Sequence, residues 1–309
     1  MVTIRSLLAI SISLLASLFL LETTSAHSTF QEKDNFWFAW HFTPGIALPL
    51  ILIVFTYLRG WQKRLRQKKP IPVGRTIAFF AGMGCFLVAL QSPIEPLSDH
   101  FLFIHQLEHM LLRVFGPLFT IFAMPLTPLL QGLPFWLRHW VLAPLIRHSW
   151  TKAVYGCLSH PVVASVLFVW AMVFWQIPPI HDASVQNEWL HDLMHLSLIL
   201  TGFFFWWLIA DPRGPRARLP YALRLVVLWA VTVPDAVMGA FVTLARYPLY
   251  QVYDVMGGRW GIDRLLDQQL GGIVMWNDAM MGVIGMAVVF LLWIREGNPR
   301  KSTTRCAPT

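Results

Sequence analysis

Charge is scarce in this chain. Only 13% of its 309 residues are Asp, Glu, Lys or Arg and 56% are hydrophobic, whereas charged residues make up about a quarter of soluble domains. Such a supply cannot cover a water-facing surface, so the solvent of the fold is lipid. Cysteine is nearly absent too: Cys85, Cys157 and Cys306 stand far apart with no Cys-x-x-Cys pair. That excludes a disulfide framework and a thiolate metal site, and leaves nitrogen, oxygen or thioether as donors for any metal. There is no phosphate-binding glycine loop and no nucleophile elbow, so ATP-driven transport and serine hydrolysis are unsupported. What the chain has in quantity is aromatic surface, with 15 Trp and 22 Phe, residues that collect at bilayer interfaces and on lipid-facing helices.

Residues 1–26 carry Arg5, an apolar run from Leu7 to Leu21 and the small residues Thr24, Ser25 and Ala26. This is the pattern of a cleavable secretory signal, with an uncleaved anchor helix as the alternative. Stretches long enough to cross a hydrocarbon core of about 30 Å follow near 42–58, 74–92, 101–128, 161–178, 189–210, 221–245 and 268–294. The expected fold is therefore all-α, a polytopic membrane bundle of about seven transmembrane helices within residues 27–295, ending in a tail over 296–309. Pro117 and Pro125 predict a kink or break in the inner half of the third span. The stretch from Gly132 to Ser159, with Trp136, Trp140 and Trp150 among basic residues, reads as an amphipathic segment along the interface.

Cytoplasmic loops retain Lys and Arg, and alternate loops here hold 18 such residues against four in the loops between them. That bias places the amino terminus outside and the carboxyl terminus inside. The net charge of +8 is thus a signal of topology rather than of nucleic-acid binding, and the implied non-protein partner is membrane lipid.

On this topology eight of the eleven histidines fall towards the outer face. Two groups share one spacing, His105-Gln-Leu-Glu-His109 at the start of the third span and His191-Asp-Leu-Met-His195 at the start of the fifth. Residues four apart lie on one helix face. Both helices run inward, so four imidazoles start at matching depth and can converge on one ion, as in helix-bundle metal sites. Neutral imidazole suits Cu, Zn, Fe and Ni. Glu108 and Asp192 are candidates to orient the ligands through their second ring nitrogens. His41, His100 and His181 are candidate additional ligands on the outer surface that first receive an ion. Met110 and Met194 adjoin the pairs and could favour Cu(I), but a neighbour of a ligand points about 100° away on a helix, and packing explains them. Asp235, Asn277 and Asp278 lie near mid-membrane, where a charge is costly unless paired. Arg113, one turn below His109, is a partner for one of these aspartates, and Asp267 is a further acidic residue of the outer face.

Gln91-Ser92-Pro93-Ile94-Glu95-Pro96-Leu97, His105 through Leu112, the Pro248-Leu249-Tyr250 turn, and above all Asp267-Gln268-Gln269-Leu270-Gly271-Gly272-Ile273-Val274-Met275-Trp276 resemble the seven-helix CtaG family of cytochrome c oxidase assembly factors. The chain departs from the family pattern at Arg113 and at Asn277-Asp278. The resemblance implies a multi-pass protein of the bacterial plasma membrane that handles copper at its outer face during oxidase assembly, with cytochrome c oxidase subunits as partners. It maps the family's histidines onto His105, His109, His191 and His195. The expected function is then a non-enzymatic carrier that binds copper, as Cu(I), and passes it on. The alternatives are a membrane oxidoreductase with haem or another metal centre such as zinc on the same histidines, and a metal permease with Asp235 and Asp278 as its next stations inward.

Overall fold

A computed structural model describes residues 40, 42–211, 217–254, 261–278 and 280–297. The expected signal, His41, the side chain of Asp278 and nearly all of the expected tail lie outside the described residues or side chains. The chain is an all-α bundle; the described residues contain no strand. In chain order the helices are α1 (Pro44–Arg66), α2 (Val73–Gln91), α3 (Ile94–Ser98), α4 (Leu102–Met110), α5 (Gly116–Ala123), α6 (Leu126–Gly132), α7 (Ala143–Arg147), α8 (Ser149–Leu158), α9 (Pro161–Trp175), α10 (Pro178–Gln186), α11 (Glu188–Ile209), α12 (Tyr221–Leu244), α13 (Arg264–Asp278) and α14 (Met280–Gly297). Among the described residues five helices are long and apolar enough to span a membrane, counting α13 and α14 as one run, and there are up to seven spans if each of two bent pairs is one.

Lipid as solvent is visible in how side chains are sorted. On α12 the exposed residues include Val226, Trp229, Val233, Val237, Phe241 and Leu244, at helical spacing, whereas Arg224 and Asp235 are buried. That inverts the pattern of a water-soluble amphipathic helix. The apolar core gathers where α9, α11 and α12 meet, around Phe168, Phe205, Trp206 and Leu228. Between α12 and α13 the backbones touch: a Cβ on Gly239 would lie 2.9 Å from the Gly272 carbonyl oxygen, and a Cβ on Gly272 would lie 2.9 Å from that of Gly239. Small residues permit such close approach between membrane helices, where packing has to replace the hydrophobic drive.

The third span breaks where its prolines predict. The chain from Leu102 to Ala123 meets α6 at 74°. Met124 adopts a left-handed conformation, φ 47°, ahead of Pro125, because proline bars its predecessor from continuing the helix. A second irregularity lies higher up, where Leu111–Phe115 forms a π-helical turn just before Pro117. Pro117 has no N–H to give the carbonyl four residues back, that of Arg113. Gly202 of α11 packs directly on this carbonyl, and a Cβ there would collide with it. The two helices bearing the histidine pairs therefore touch backbone to backbone just below them.

The segment expected along the interface is helical, comprising a π-helical turn (Leu137–Leu142), α7 and α8. Its Phe135, Trp136, Trp140 and Trp150 are all exposed, and α8 joins α9 at 68°.

Candidate metal centre

α4 begins against α13. The carboxylate of Asp267, itself buried, accepts from the backbone N–H groups of Leu102 at 2.8 Å and Phe103 at 3.2 Å. The first N–H groups of a helix have no partner within it, and a carboxylate satisfies them while matching the positive end of the helix dipole. α11 begins with a similar cap, in which the Asn187 side chain accepts from Leu190 N–H at 3.2 Å. Both ends are thus fixed three residues or so before the first histidine of each pair.

The fixed helices bring the two pairs together. Within each pair the rings are neighbours, with centroids 4.3 Å apart for His105 and His109 and 4.4 Å for His191 and His195. Between helices, His105 stacks on His191 at 5.3 Å, and His109 meets His195 edge-on at 5.6 Å. The tightest donor set is His105, His191 and His195, which offer nitrogens all within 4.8 Å of one another. A bound nitrogen lies about 2 Å from its ion, so nitrogens on one ion are at most about 4 Å apart; small ring rotations close that difference. His109 stands beside this triad, against His105, rather than within it.

The donors also fit an ion by their unmet demand. Both ring nitrogens of His105 and of His109, and Nε2 of His195, are buried with no hydrogen-bond partner. Buried polar atoms are nearly always paired, and several orphaned imidazole nitrogens facing one another call for a guest that accepts lone pairs. Glu108 places Oε1 at 3.6 Å from His195 Nε2, close enough to compensate positive charge at the site. Asp192, beside His191, is half-buried on α11. Among the described residues Cys85 and Cys157 belong to no such donor group, Met110 packs against the apolar core, and Met194 Sδ accepts from Ser184 Oγ at 3.5 Å.

Beneath the histidines, Arg113 and Asp235 form a buried pair. Arg113 Nη2 lies 3.0 Å from Asp235 Oδ2 and 3.3 Å from Oδ1, and both side chains are at most 1% exposed. The same nitrogen donates to the Phe168 carbonyl at 3.3 Å, and the guanidinium sits 3.7 Å above the Phe168 ring. Of the two aspartates that sequence offers Arg113, Asp235 is thus a partner; Asn277, the neighbour of Asp278, is exposed.

The additional ligands are placed differently from expectation. His100 pairs with Asp254, Nδ1 to Oδ1 at 2.8 Å, in a partly exposed position. His181 is not on the surface but fully buried, with its ring 5.1 Å from that of His105. Its Nδ1 lies 2.9 Å from the Trp175 carbonyl and its Nε2 2.6 Å from the Tyr253 hydroxyl. A carbonyl can only accept, so Nδ1 carries the proton and Nε2 accepts from the phenol. Burial pushes the ionisation of His181 down to about 4 and that of the Tyr253 phenol up, which keeps both partners neutral.

Sequence reasoning passed over Tyr253 and Gln176, and met Tyr250, Gln106 and Gln268 only as parts of the quoted motifs. Tyr250 donates to the Gln176 carbonyl at 3.0 Å, and Gln176 Nε2 donates to Gln106 Oε1 at 3.1 Å, between the two histidines of α4. Gln268 accepts from Leu249 N–H at 2.5 Å and donates to the Tyr247 carbonyl at 3.2 Å, pinning the turn that carries both tyrosines. The available signals were the Pro248-Leu249-Tyr250 turn of the family resemblance and the gathering of three of the six tyrosines, Tyr247, Tyr250 and Tyr253, in this loop.

Apolar stripes turned outward, charges buried in pairs and imidazoles gathered between two helix starts define a polytopic membrane protein with a buried polyhistidine site. A family model described as cytochrome c oxidase caa3 assembly factor (Caa3_CtaG) matches residues 55–296, and the chain belongs to that family. Among curated proteins it is similar to an uncharacterized protein of Mycobacterium leprae, 29% identical over 278 residues, covering 85% of this chain and 41% of the relative. Uncharacterized proteins of Mycobacterium bovis and Mycobacterium tuberculosis are each 31% identical over 269 residues, covering 83% of this chain and 40% of the relative. The chain therefore spans about two fifths of the length of these relatives. No solved structure matches it significantly.

Proposed function

We propose that this oxidase assembly factor binds copper, as Cu(I), on His105, His191 and His195 with His109 alongside, and passes it to a cytochrome c oxidase subunit without catalysing a reaction. The observation that carries this reading is the set of buried nitrogens of His105, His109 and His195 without hydrogen-bond partners, in a cluster with His191 whose tightest donors lie within 4.8 Å of one another. Imidazole binds Cu(I) while a thiolate cage would hold it harder, so an all-nitrogen site suits a carrier that must let go. The distribution of Lys and Arg among the loops supports the histidine end facing outward in a bacterial plasma membrane, the side from which an oxidase could receive the ion.

The competing readings fare less well on particular observations. The rings pack against one another at centroid distances between 4.3 and 6.2 Å, which suits a bare ion better than a macrocycle. A permease needs a polar path onward, and directly below the histidines stands a fully buried, charge-neutral Arg113–Asp235 pair capped by Phe168.

The test is metal content and absorption of the detergent-purified protein after anaerobic Cu(I) loading, with Zn(II) loaded in parallel. A variant with His105, His109, His191 and His195 all changed to Ala serves as comparison. About one copper per chain in the wild type, lost in the variant and without a haem spectrum, is the expected result. Equal copper in both removes the site, zinc retained in place of copper reassigns the metal, and a histidine-dependent Soret band moves the protein to the haem enzymes.

A further inference from the structure

We propose that Tyr253 is a latch that holds His181 in reserve as an additional copper ligand, so that the resident site keeps few donors and can release its ion; this rests on the copper reading above. His181 belongs spatially to the histidine cluster. Its ring is fully buried, 5.1 Å from His105, which is closer than the 6.2 Å between His105 and His195. Yet it is absent from the set of donors within 4.8 Å of one another.

The reason is chemical. With Nδ1–H committed to the Trp175 carbonyl, the only lone pair of the neutral ring is on Nε2, and the Tyr253 hydroxyl covers it at 2.6 Å. His181 can join the ion only when that hydrogen bond is given up.

The latch is itself well mounted. Tyr253 is 2% exposed and packs in one apolar cluster with Tyr250, Leu102 and Met275. Its loop is tied to the bundle at three further points, Gln251 N–H to Asp182 at 3.1 Å, His100 to Asp254 at 2.8 Å, and Leu249 N–H to Gln268. A tyrosine whose only task was packing would need no hydroxyl. Here the hydroxyl is spent on the one nitrogen through which His181 could join the ion. Three nitrogens give an ion that a client can capture; a fourth would retain it.

The experiment compares Tyr253→Phe, His181→Gln and the double variant with the wild type, all as full-length detergent-solubilised protein loaded with Cu(I). Affinity is read by competition with a Cu(I) chelator, release by the rate of transfer to it, and ligand number by X-ray absorption. Tyr253→Phe removes a hydrogen bond with a net worth of about 1 kcal/mol, so affinity should rise about fivefold to tenfold. Release should slow by a similar factor, and one nitrogen should be added to the copper shell. His181→Gln alone should leave affinity and ligand number at wild-type values, and the double variant should cancel the gain. Should Tyr253→Phe fold poorly, His181→Gln still decides: copper weakened in that variant makes His181 a resident ligand and overturns the latch. Wild-type behaviour in Tyr253→Phe overturns the latch while leaving the copper site standing, whereas a wild-type protein that binds no copper overturns both.

Discussion

Asp235→Asn is the perturbation with the clearest physical consequence. It removes one charge from a pair whose members are at most 1% exposed and 3.0 Å apart, so that the buried Arg113 cation, beside the Phe168 carbonyl and ring, loses the charge of that carboxylate. Breaking a buried ion pair from one side costs about 3–5 kcal/mol, because the remaining charge is uncompensated. The same change acts on the site above. Arg113 is four residues beyond His109, about 6 Å along the helix at about 1.5 Å per residue. An unscreened unit charge about 7 Å from a monovalent ion raises its energy by about 2 kcal/mol at an effective dielectric constant of about 20. Copper affinity should accordingly fall by about 30-fold to 50-fold. The assay is chelator competition together with thermal unfolding in detergent, for Asp235→Asn, Arg113→Leu and the pair Arg113→Leu/Asp235→Leu. The double variant carries no uncompensated charge and should recover copper affinity to within about threefold, with less loss of stability than Asp235→Asn alone. If Asp235→Asn binds copper as tightly as the wild type and melts at the same temperature, the pair does not neutralise the floor of the site and the reasoning fails.

Single alanine changes at His105, His191 and His195 should each abolish chelator-resistant copper, while His109→Ala should weaken it by about tenfold or less, since its ring stands beside the triad; equal losses at all four would put His109 among the primary ligands. Asp267→Ala leaves the Leu102 and Phe103 N–H groups uncapped and should lower stability by about 1–2 kcal/mol, measured by thermal unfolding. Asp267→Asn keeps one acceptor oxygen and should cost less. Stability contributed by His181 should be complete above about pH 6.5 and decline as pH falls towards 4, because burial depresses its folded value to about 4 while the unfolded ring takes up a proton near 6.5. Unfolding curves of the wild type should therefore lose more on acidification over that range than those of His181→Gln, and parallel curves would contradict the assignment.

Much of the candidate site was legible because its chemistry sits on helices. A four-residue spacing fixes a face wherever the helix goes, so the pairs His105/His109 and His191/His195 could be matched in depth from hydropathy alone. Pro117 and Pro125 likewise announced the 74° break, since a missing N–H is a property of the residue and not of its surroundings. The class of fold followed from the shortage of charge.

The rest depended on which surfaces meet. That His105, His191 and His195 form the tightest donor set with His109 beside it, that Asp235 pairs with Arg113, that Asp267 caps α4 and that His181 is covered by Tyr253 all depend on contacts between segments 72 to 165 residues apart. Periodicity specifies which side a residue takes on its own helix and how deep it lies. It says nothing about the rotation and distance of the neighbouring helix, which are set by backbone contacts such as Gly202 on Arg113 and Gly239 on Gly272. Lipid offers little drive of its own to bring helices together, so these packed contacts settle where each imidazole nitrogen finally points.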